Sequence, residues 1–249
     1  MKNSRMILKR IGCYLFAIAF VLAGWHITAV LLQTPALPTP AETIPVFAQY
    51  AVSMWPDFLI SLERVTLALV IAAVLGVPCG LALGRSPRLD ALFGPVLYIM
   101  YPLPKIVLLP ILLVLFGLAD APKIVLISLT VFFQVLVAVR DSVHAVPESA
   151  VLSIRSLGGT RWDEYVHVTV PATLPAVFTS LRIGVGTAIA VLFIAEAMAG
   201  STGLGYYIMQ SWSMVNYPRM FAGIIAMALL GVALYAVFDI VERSLTRWR

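Results

Sequence analysis

The sequence predicts an all-α integral membrane protein with about six transmembrane helices. Three observations point there. Hydrophobic residues make up 61% of the 249-residue chain and charged residues 12%, against roughly 45–50% and about 25% in soluble domains. Mean hydropathy is +0.98. The apolar residues gather into runs of membrane-crossing length, and the basic residues gather at alternate breaks between those runs. A chain of this size holds about six helices of ~20 residues with short loops, so residues 1–249 are expected to form one transmembrane domain.

The first span is expected at 11–32, behind Lys2, Arg5, Lys9 and Arg10. Its apolar run is longer than the core of a secretion signal, and no small-residue cleavage motif closes it, so it reads as a retained span. Pro35, Pro38 and Pro40 end it, because proline cannot continue a helix. Residues 42–58, with Trp55 and Pro56, are expected at the far membrane surface. The second span, 61–83, runs into the basic turn Gly84-Arg85-Ser86-Pro87-Arg88. The third, 92–115, carries Pro95, Pro102, Pro104 and Pro110. Such breaks persist in lipid only where neighbouring protein satisfies the freed backbone groups, so this span is expected to face other helices or a pathway. The fourth, fifth and sixth spans are expected at 123–139, 174–195 and 220–241. A polar loop fills 140–172, and Gly200–Gly205 forms a bend outside the membrane.

Six crossings put both termini on one side. That side carries Lys2, Arg5, Lys9, Arg10, Arg85, Arg88, Arg140, Arg155, Arg161, Arg243, Arg247 and Arg249. Arg64, Lys105, Lys123, Arg182 and Arg219 lie in the spans or opposite. The positive-inside bias therefore makes the termini and the polar loop cytoplasmic. Because the charge follows the crossings, the net +5 argues for orientation and not for nucleic-acid binding.

Several classes of chemistry find no support. Cys13 and Cys79 sit alone in separate apolar runs and read as small buried hydrophobes. His26, His144 and His167 are scattered without a metal-ligand spacing. No G-x-x-x-x-G-K-[ST] phosphate loop is present, so neither a cofactor nor an ATP site is expected in this chain. A membrane-embedded enzyme would need a convergent constellation that these residues do not form.

The polar loop has its own pattern. Ala150, Val151, Ile154 and Leu157 recur at helical spacing, and Gly158-Gly159 can close that helix in a left-handed cap. Thr160 followed by Asp163 marks a second helix start, with Trp162, Tyr165 and Val166 on one face. Pro171 and Pro175 open the fifth span. Two short helices with apolar faces outside the membrane need something to pack on, either the lipid interface or a partner.

This loop resembles the signature loop of inner-membrane permease subunits of binding-protein-dependent ABC importers. There a Glu-Ala-Ala triplet precedes a Gly, and Ile-x-Leu-Pro follows. Gly158 fits the Gly, and Val168-Thr169-Val170-Pro171 fits the end. The triplet position reads Leu152-Ser153-Ile154, with Glu148-Ser149-Ala150 slightly out of register. Further matches resemble the sulfonate, taurine and nitrate branch. They include Trp55-Pro56 with Ser61-Leu62 and Arg64-Val65, Gly76-x-Pro78-x-Gly80 through Gly84, and Pro102-x-Pro104 with Leu109-Pro110. Phe116-Gly117, Arg155-Ser156-Leu157-Gly158, Leu181-Arg182, Ala195-Glu196 and Gly203-Leu204-Gly205-Tyr206 complete the series, from about residue 55 to the end.

The resemblance implies a type I importer permease fold in a bacterial cytoplasmic membrane, with two permease copies around the path. It implies an external solute-binding protein and ATPase subunits that hold the ATP and Mg. Glu148, Ser149, Ala150, Ile154, Arg155, Leu157, Gly158, Trp162 and Pro171 would then form the coupling region. The implied substrate is a small anion such as a sulfonate, taurine or nitrate. The competing reading is an ATPase-independent channel or ion-coupled carrier, which calls for repeated broken helices and ion sites; no convincing repeat is visible.

Charged side chains inside spans mark pathways or pairs. Arg182 either snorkels to the cytoplasmic surface or lines the path, and Glu196 either sits at the interface or lines a gate. Fourteen residues apart, they are roughly 21 Å apart along one helix and cannot pair. Lys105 is either a structural cation or an attractor for an anionic solute. Arg64 and Asp239 are open to pairing between spans.

Overall fold

Every regular element among the described residues is helical. The computed structural model describes residues 2–245, with side chains from residue 12 onward. Arg247 and Arg249, and the side chains of Lys2, Arg5, Lys9 and Arg10, on which the orientation argument partly rests, lie outside that range.

Ten α-helices follow one another: α1 Lys2–Leu32, α2 Pro40–Arg85, α3 Pro87–Met100, α4 Leu109–Phe116, α5 Ala121–His144, α6 Glu148–Ser156, α7 Arg161–Glu164, α8 Val170–Ala199, α9 Leu204–Ser213 and α10 Tyr217–Leu245. Five segments are long and apolar enough to cross a membrane, and a sixth is obtained if the bent α3–α4 pair counts as one span.

The expected surface stretch 42–58 is instead part of α2, whose 46 residues extend about 69 Å. Its start is fixed by a capping box. Thr39 Oγ1 accepts from the Glu42 amide, and the Thr39 amide donates to Glu42 Oε2 at 2.7 Å, with Pro40 at the first helical positions, where its missing N–H is harmless. Pro45, Pro56 and Pro78 lie inside the helix without ending it.

The core forms where α2, α5 and α8 meet, with α10 laid against α2, α8 and α9. Val65, Ala68, Ala72, Leu126, Val131, Val135, Ala188 and Leu192 are fully enclosed there. Gly76, Gly80 and Gly84 form a stripe at every fourth position of α2, facing α5. A Cβ on Gly80 would come within 2.7 Å of both Leu136 O and Val139 Cβ, and one on Gly84 within 2.6 Å of Val143 Cβ. This is the small-residue spacing that lets membrane helices approach backbone to backbone. We expect Gly80→Val to cost about 1–3 kcal/mol through overpacking. A reduced melting temperature of the detergent-purified protein would show it, with Gly94→Val as the control, because Gly94 has open space around it.

α1 stands apart, with 6% of its apolar window buried. Trp25 ties it back, donating to Pro38 O at 2.9 Å and stacking on Phe221. The third expected span breaks at Pro102 and Pro104. α3 ends at Met100, a 3-10 turn spans Lys105–Leu108, and the chain turns by 83° into α4.

α5 runs on to His144, past the expected loop start at residue 140. The second half of the expected loop is also helical: α7 passes through a π-turn at Tyr165–Thr169 into α8. That turn has a local cause. Pro171 offers no N–H to the preceding turn, and the Val170 amide reaches back to Tyr165 O, a wider closure than an α-helix makes. The non-helical parts of the loop reduce to short breaks on either side of α6.

Candidate functional site

Two constellations sit at opposite ends of α5, about 36 Å apart. One is the α6–α7 loop beyond His144; the other surrounds Asp120 and Glu196.

α6 starts after Pro147 with Glu148 in its first turn, an acid where the helix dipole favours one. Ser149 O accepts from Ser153 Oγ, and Ala150 packs partly inward. The helix closes in a Schellman motif. Gly159 N donates to Ile154 O and Gly158 N to Arg155 O, each at 3.0 Å, and Gly158 holds φ at +80°. The next helix opens on a capping box in which the Thr160 amide donates to Asp163 Oδ2 at 2.7 Å.

Arg155 then braces the two helices, donating through Nε to Glu164 Oε1 at 2.6 Å. That hydrogen bond raises the pKa of the Arg155 guanidinium above its ordinary value. Arg85, at the end of α2, donates to Arg161 O at 2.6 Å and lies over the Tyr165 ring. Trp162 packs on Tyr165 with ring centroids 5.5 Å apart. The result is a fixed hairpin anchored to α2 and α8 whose outer side is bare. No residue of α6 is buried, Leu157 is 86% exposed and Trp162 67%. Of the expected coupling residues, Ile154, Arg155 and Gly158 build the frame, while Leu157 and Trp162 face outward. Pro171 lies in the first turn of α8.

At the other end, Glu196 is completely buried and Arg64 is 3% exposed. Arg64 Nη1 donates to Glu196 Oε1 at 2.7 Å and to Thr202 O at 2.9 Å, and Nη2 donates to Thr202 Oγ1. Its Nε donates to Asp120 Oδ1 at 2.8 Å, and Asp120 leads out to the surface. Ser61 Oγ lies 2.9 Å from both Glu196 oxygens and accepts from the Leu204 amide at 2.8 Å. Glu196 Oε2 accepts from Gly205 N, and Asp57 Oδ1 accepts from Gly203 N at 2.7 Å.

Acceptors from α2 and α8 thus satisfy the amides at the start of α9, which has no side-chain cap of its own. The backbone must pass close to the carboxylate. Gly203 holds φ at +102°, and a Cβ there would lie 2.3 Å from Glu196 Oε1. The node joins α2, α5, α8 and α9 and carries the chain through the Gly200–Gly205 bend.

Arg182 does not approach Glu196. It pairs with α10, donating to Asp239 Oδ1 at 3.1 Å and lying 3.0 Å from Glu242 Oε2. Asp239 is also paired with Arg243 at 2.7 Å. Lys105 sits at the bend between α3 and α4, 9% exposed.

With this geometry in view, comparison with known proteins identifies the lineage. Residues 72–247 match the family described as binding-protein-dependent transport system inner membrane component. A taurine transport system permease protein of Escherichia coli is 30% identical over 98% of this chain and 91% of its own length. The chain belongs to this permease family. It is a subunit of an ABC importer whose relatives include taurine and nitrate permeases. The nitrate import permease protein of Synechococcus elongatus is 27% identical, over 80% of this chain and 76% of its own. A chain of the methionine ABC transporter MetNI shares the permease fold, with a TM-score of 0.68 at 20% identity, covering 78% of this chain and 97% of that one.

Proposed function

We propose that this permease forms the translocation path of an ATP-driven importer in a bacterial cytoplasmic membrane, with its termini and the α6–α7 hairpin in the cytoplasm. Two copies pair around the path. Each hairpin docks on an ATPase subunit that binds ATP and Mg, and an external solute-binding protein delivers a small anion such as a sulfonate, taurine or nitrate.

The observation that carries the reading is the hairpin. Its cap, capping box and Arg155–Glu164 bridge make it stiff, and its anchorage through Arg85 and the helix run into α8 links it to the bundle. Its exposed Leu157 and Trp162 offer a partner an apolar surface. A stiff hairpin can transmit closure of an ATPase pair to the spans, provided ATP binding favours one orientation of the permease over the other.

The test is purification of the tagged chain from its native membrane in mild detergent, with mass spectrometry of what accompanies it. Recovery of an ATPase is expected. Repeated recovery of the permease alone, under conditions that preserve other membrane complexes, would favour a self-sufficient carrier. A second expectation concerns Gly158. Forcing a β-branched residue into its left-handed conformation costs roughly 1–2 kcal/mol and frays the end of α6. Gly158→Val is therefore expected to retain ATP hydrolysis in the purified importer while solute uptake into vesicles falls. Unchanged uptake per ATP would remove Gly158 from the coupling machinery.

A further inference from the structure

The bend between α3 and α4 holds a buried cation beside a cavity. Lys105 Nζ donates to Met100 O at 2.7 Å and Tyr101 O at 2.5 Å. Met100 O needs this donor because the amide that would close its helical turn belongs to Pro104, which has none. Two of the three ammonium protons cap the broken helix in this way. The charge lies over the rings of Phe133 and Tyr101, with centroids 4.9 and 5.6 Å away.

Among the described residues no carboxylate lies within ion-pair distance of Lys105. Arg64, Arg140 and Arg182, by contrast, each have two, while Lys123, which donates to Leu118 O and Ala119 O, shares the lack. An ammonium buried without a counter-ion is costly, and Lys105 in addition lines a cavity.

The cavity has a volume of about 310 Å³, and Lys105, Tyr101, Thr130 and Gln134 are among its lining residues. That is the low end of ligand-site volumes, which run roughly 300–1,000 Å³. Two other cavities, one between α2 and α10 and one among α2, α3 and α5, contain no charged lining residue, whereas one between α8 and α10 is lined in part by Arg182. Thr130, Gln134, Val137 and Arg140 share one face of α5. Along this face a second cavity of about 580 Å³, lined in part by Tyr98, Tyr101 and Arg140, adjoins the first, and Tyr101 contributes to both.

We propose that Lys105 binds the anionic head of the transported solute at a resting site in the path, with Thr130 and Gln134 lining the cavity that holds it. The ligand class is a small monoanion with oxygen acceptors, a sulfonate or nitrate. The third ammonium proton supplies the contact. The two carbonyls keep the lysine in place when the site is empty, so the solute can leave without freeing the side chain. The proposal rests on the small-anion reading of the importer.

The test measures uptake of taurine, ethanesulfonate and nitrate by cells carrying the whole importer. It uses wild type, Lys105→Met, Lys105→Arg and Gln134→Glu, with permease and copurifying ATPase quantified in each. For the anion that wild type takes up, Lys105→Met is expected to raise the half-saturation concentration at least about tenfold, with Lys105→Arg closer to wild type. Gln134→Glu, which sets a negative charge in the cavity at nearly constant shape, is expected to raise it similarly with assembly unchanged. It keeps the proposal open to refutation even if Lys105→Met fails to assemble. Wild-type half-saturation in Gln134→Glu, or in an assembled Lys105→Met, overturns the site while leaving the anion importer standing. Wild type that takes up none of the three anions overturns the small-anion reading, and the site with it.

Discussion

Arg64→Met is expected to be the most damaging single substitution in the chain. It leaves Glu196, fully enclosed and 2.7 Å from the lost guanidinium, as a buried acid without its cation. Removing one member of a buried ion pair costs about 3–5 kcal/mol. It also strips two hydrogen bonds from Thr202, which hold the bend before α9. Less permease in the membrane and a lower melting temperature in detergent are the expected results.

Glu196→Gln should be milder. The amide keeps the shape and its oxygen can still accept from Ser61 and Gly205; its NH2 then faces Arg64 Nη1 donor to donor, but Arg64 retains Asp120 and Thr202. Assembly is therefore expected to survive in Glu196→Gln, with the effect confined to uptake. Equal loss of protein in both variants would mean that the carboxylate charge itself, and not the shape and hydrogen bonds that glutamine keeps, holds the node together.

Much of the architecture is legible because membrane spans announce themselves by composition. α5, α8 and α10 coincide with long apolar runs, and the break at Pro102 and Pro104 follows from missing amides. α2 exceeds its expected length because Trp55 and Pro56 read as surface and turn signals, whereas a proline costs a membrane helix little when neighbours satisfy the freed carbonyl. The capping box at Thr39 and Glu42 was the signal that could have placed its start. α9 is ten residues long, too short for a span and lying just past a glycine-rich bend.

The glycine stripe on α2 was also visible in the sequence, at positions 76, 80 and 84. Its role as a packing face depends on α5 lying against it.

The two constellations differ in legibility for the same reason. The hairpin is local: Gly158 in a left-handed cap and Thr160 with Asp163 at a helix start follow from residues a few positions apart. The node is not. Arg64 could be read as paired between spans, but its partner Glu196 lies 132 positions away, and spacing along one helix says only which residues cannot meet. Arg182 shows the same limit, since its partners Asp239 and Glu242 lie on α10. From sequence, Glu196 reads as an interfacial or gate residue. Its burial among donors from two other helices gives it a third part, as the cap that α9 lacks.

Leu157→Asp is expected to separate stability from function more sharply than any change in the node. In the isolated permease this side chain is 86% exposed, and substitutions at such sites usually change stability by no more than about 0.5 kcal/mol. The Schellman cap that follows depends on the backbone and on Gly158, so α6 should persist. If the ATPase docks on this face, the variant instead buries a charge in an apolar contact, a loss of several kcal/mol when unpaired.

The expected outcome is a permease made in normal amount, with an unchanged melting temperature, that no longer recovers the ATPase and no longer takes up solute. Trp162→Asp should behave alike at the ATPase, but its ring packs on Tyr165, so some loss of hairpin stability should accompany it. An ATPase recovered at wild-type yield with Leu157→Asp would place the docking surface elsewhere. The outer face of α6 would then rest on the lipid interface, and the force on the spans would have to enter by another route.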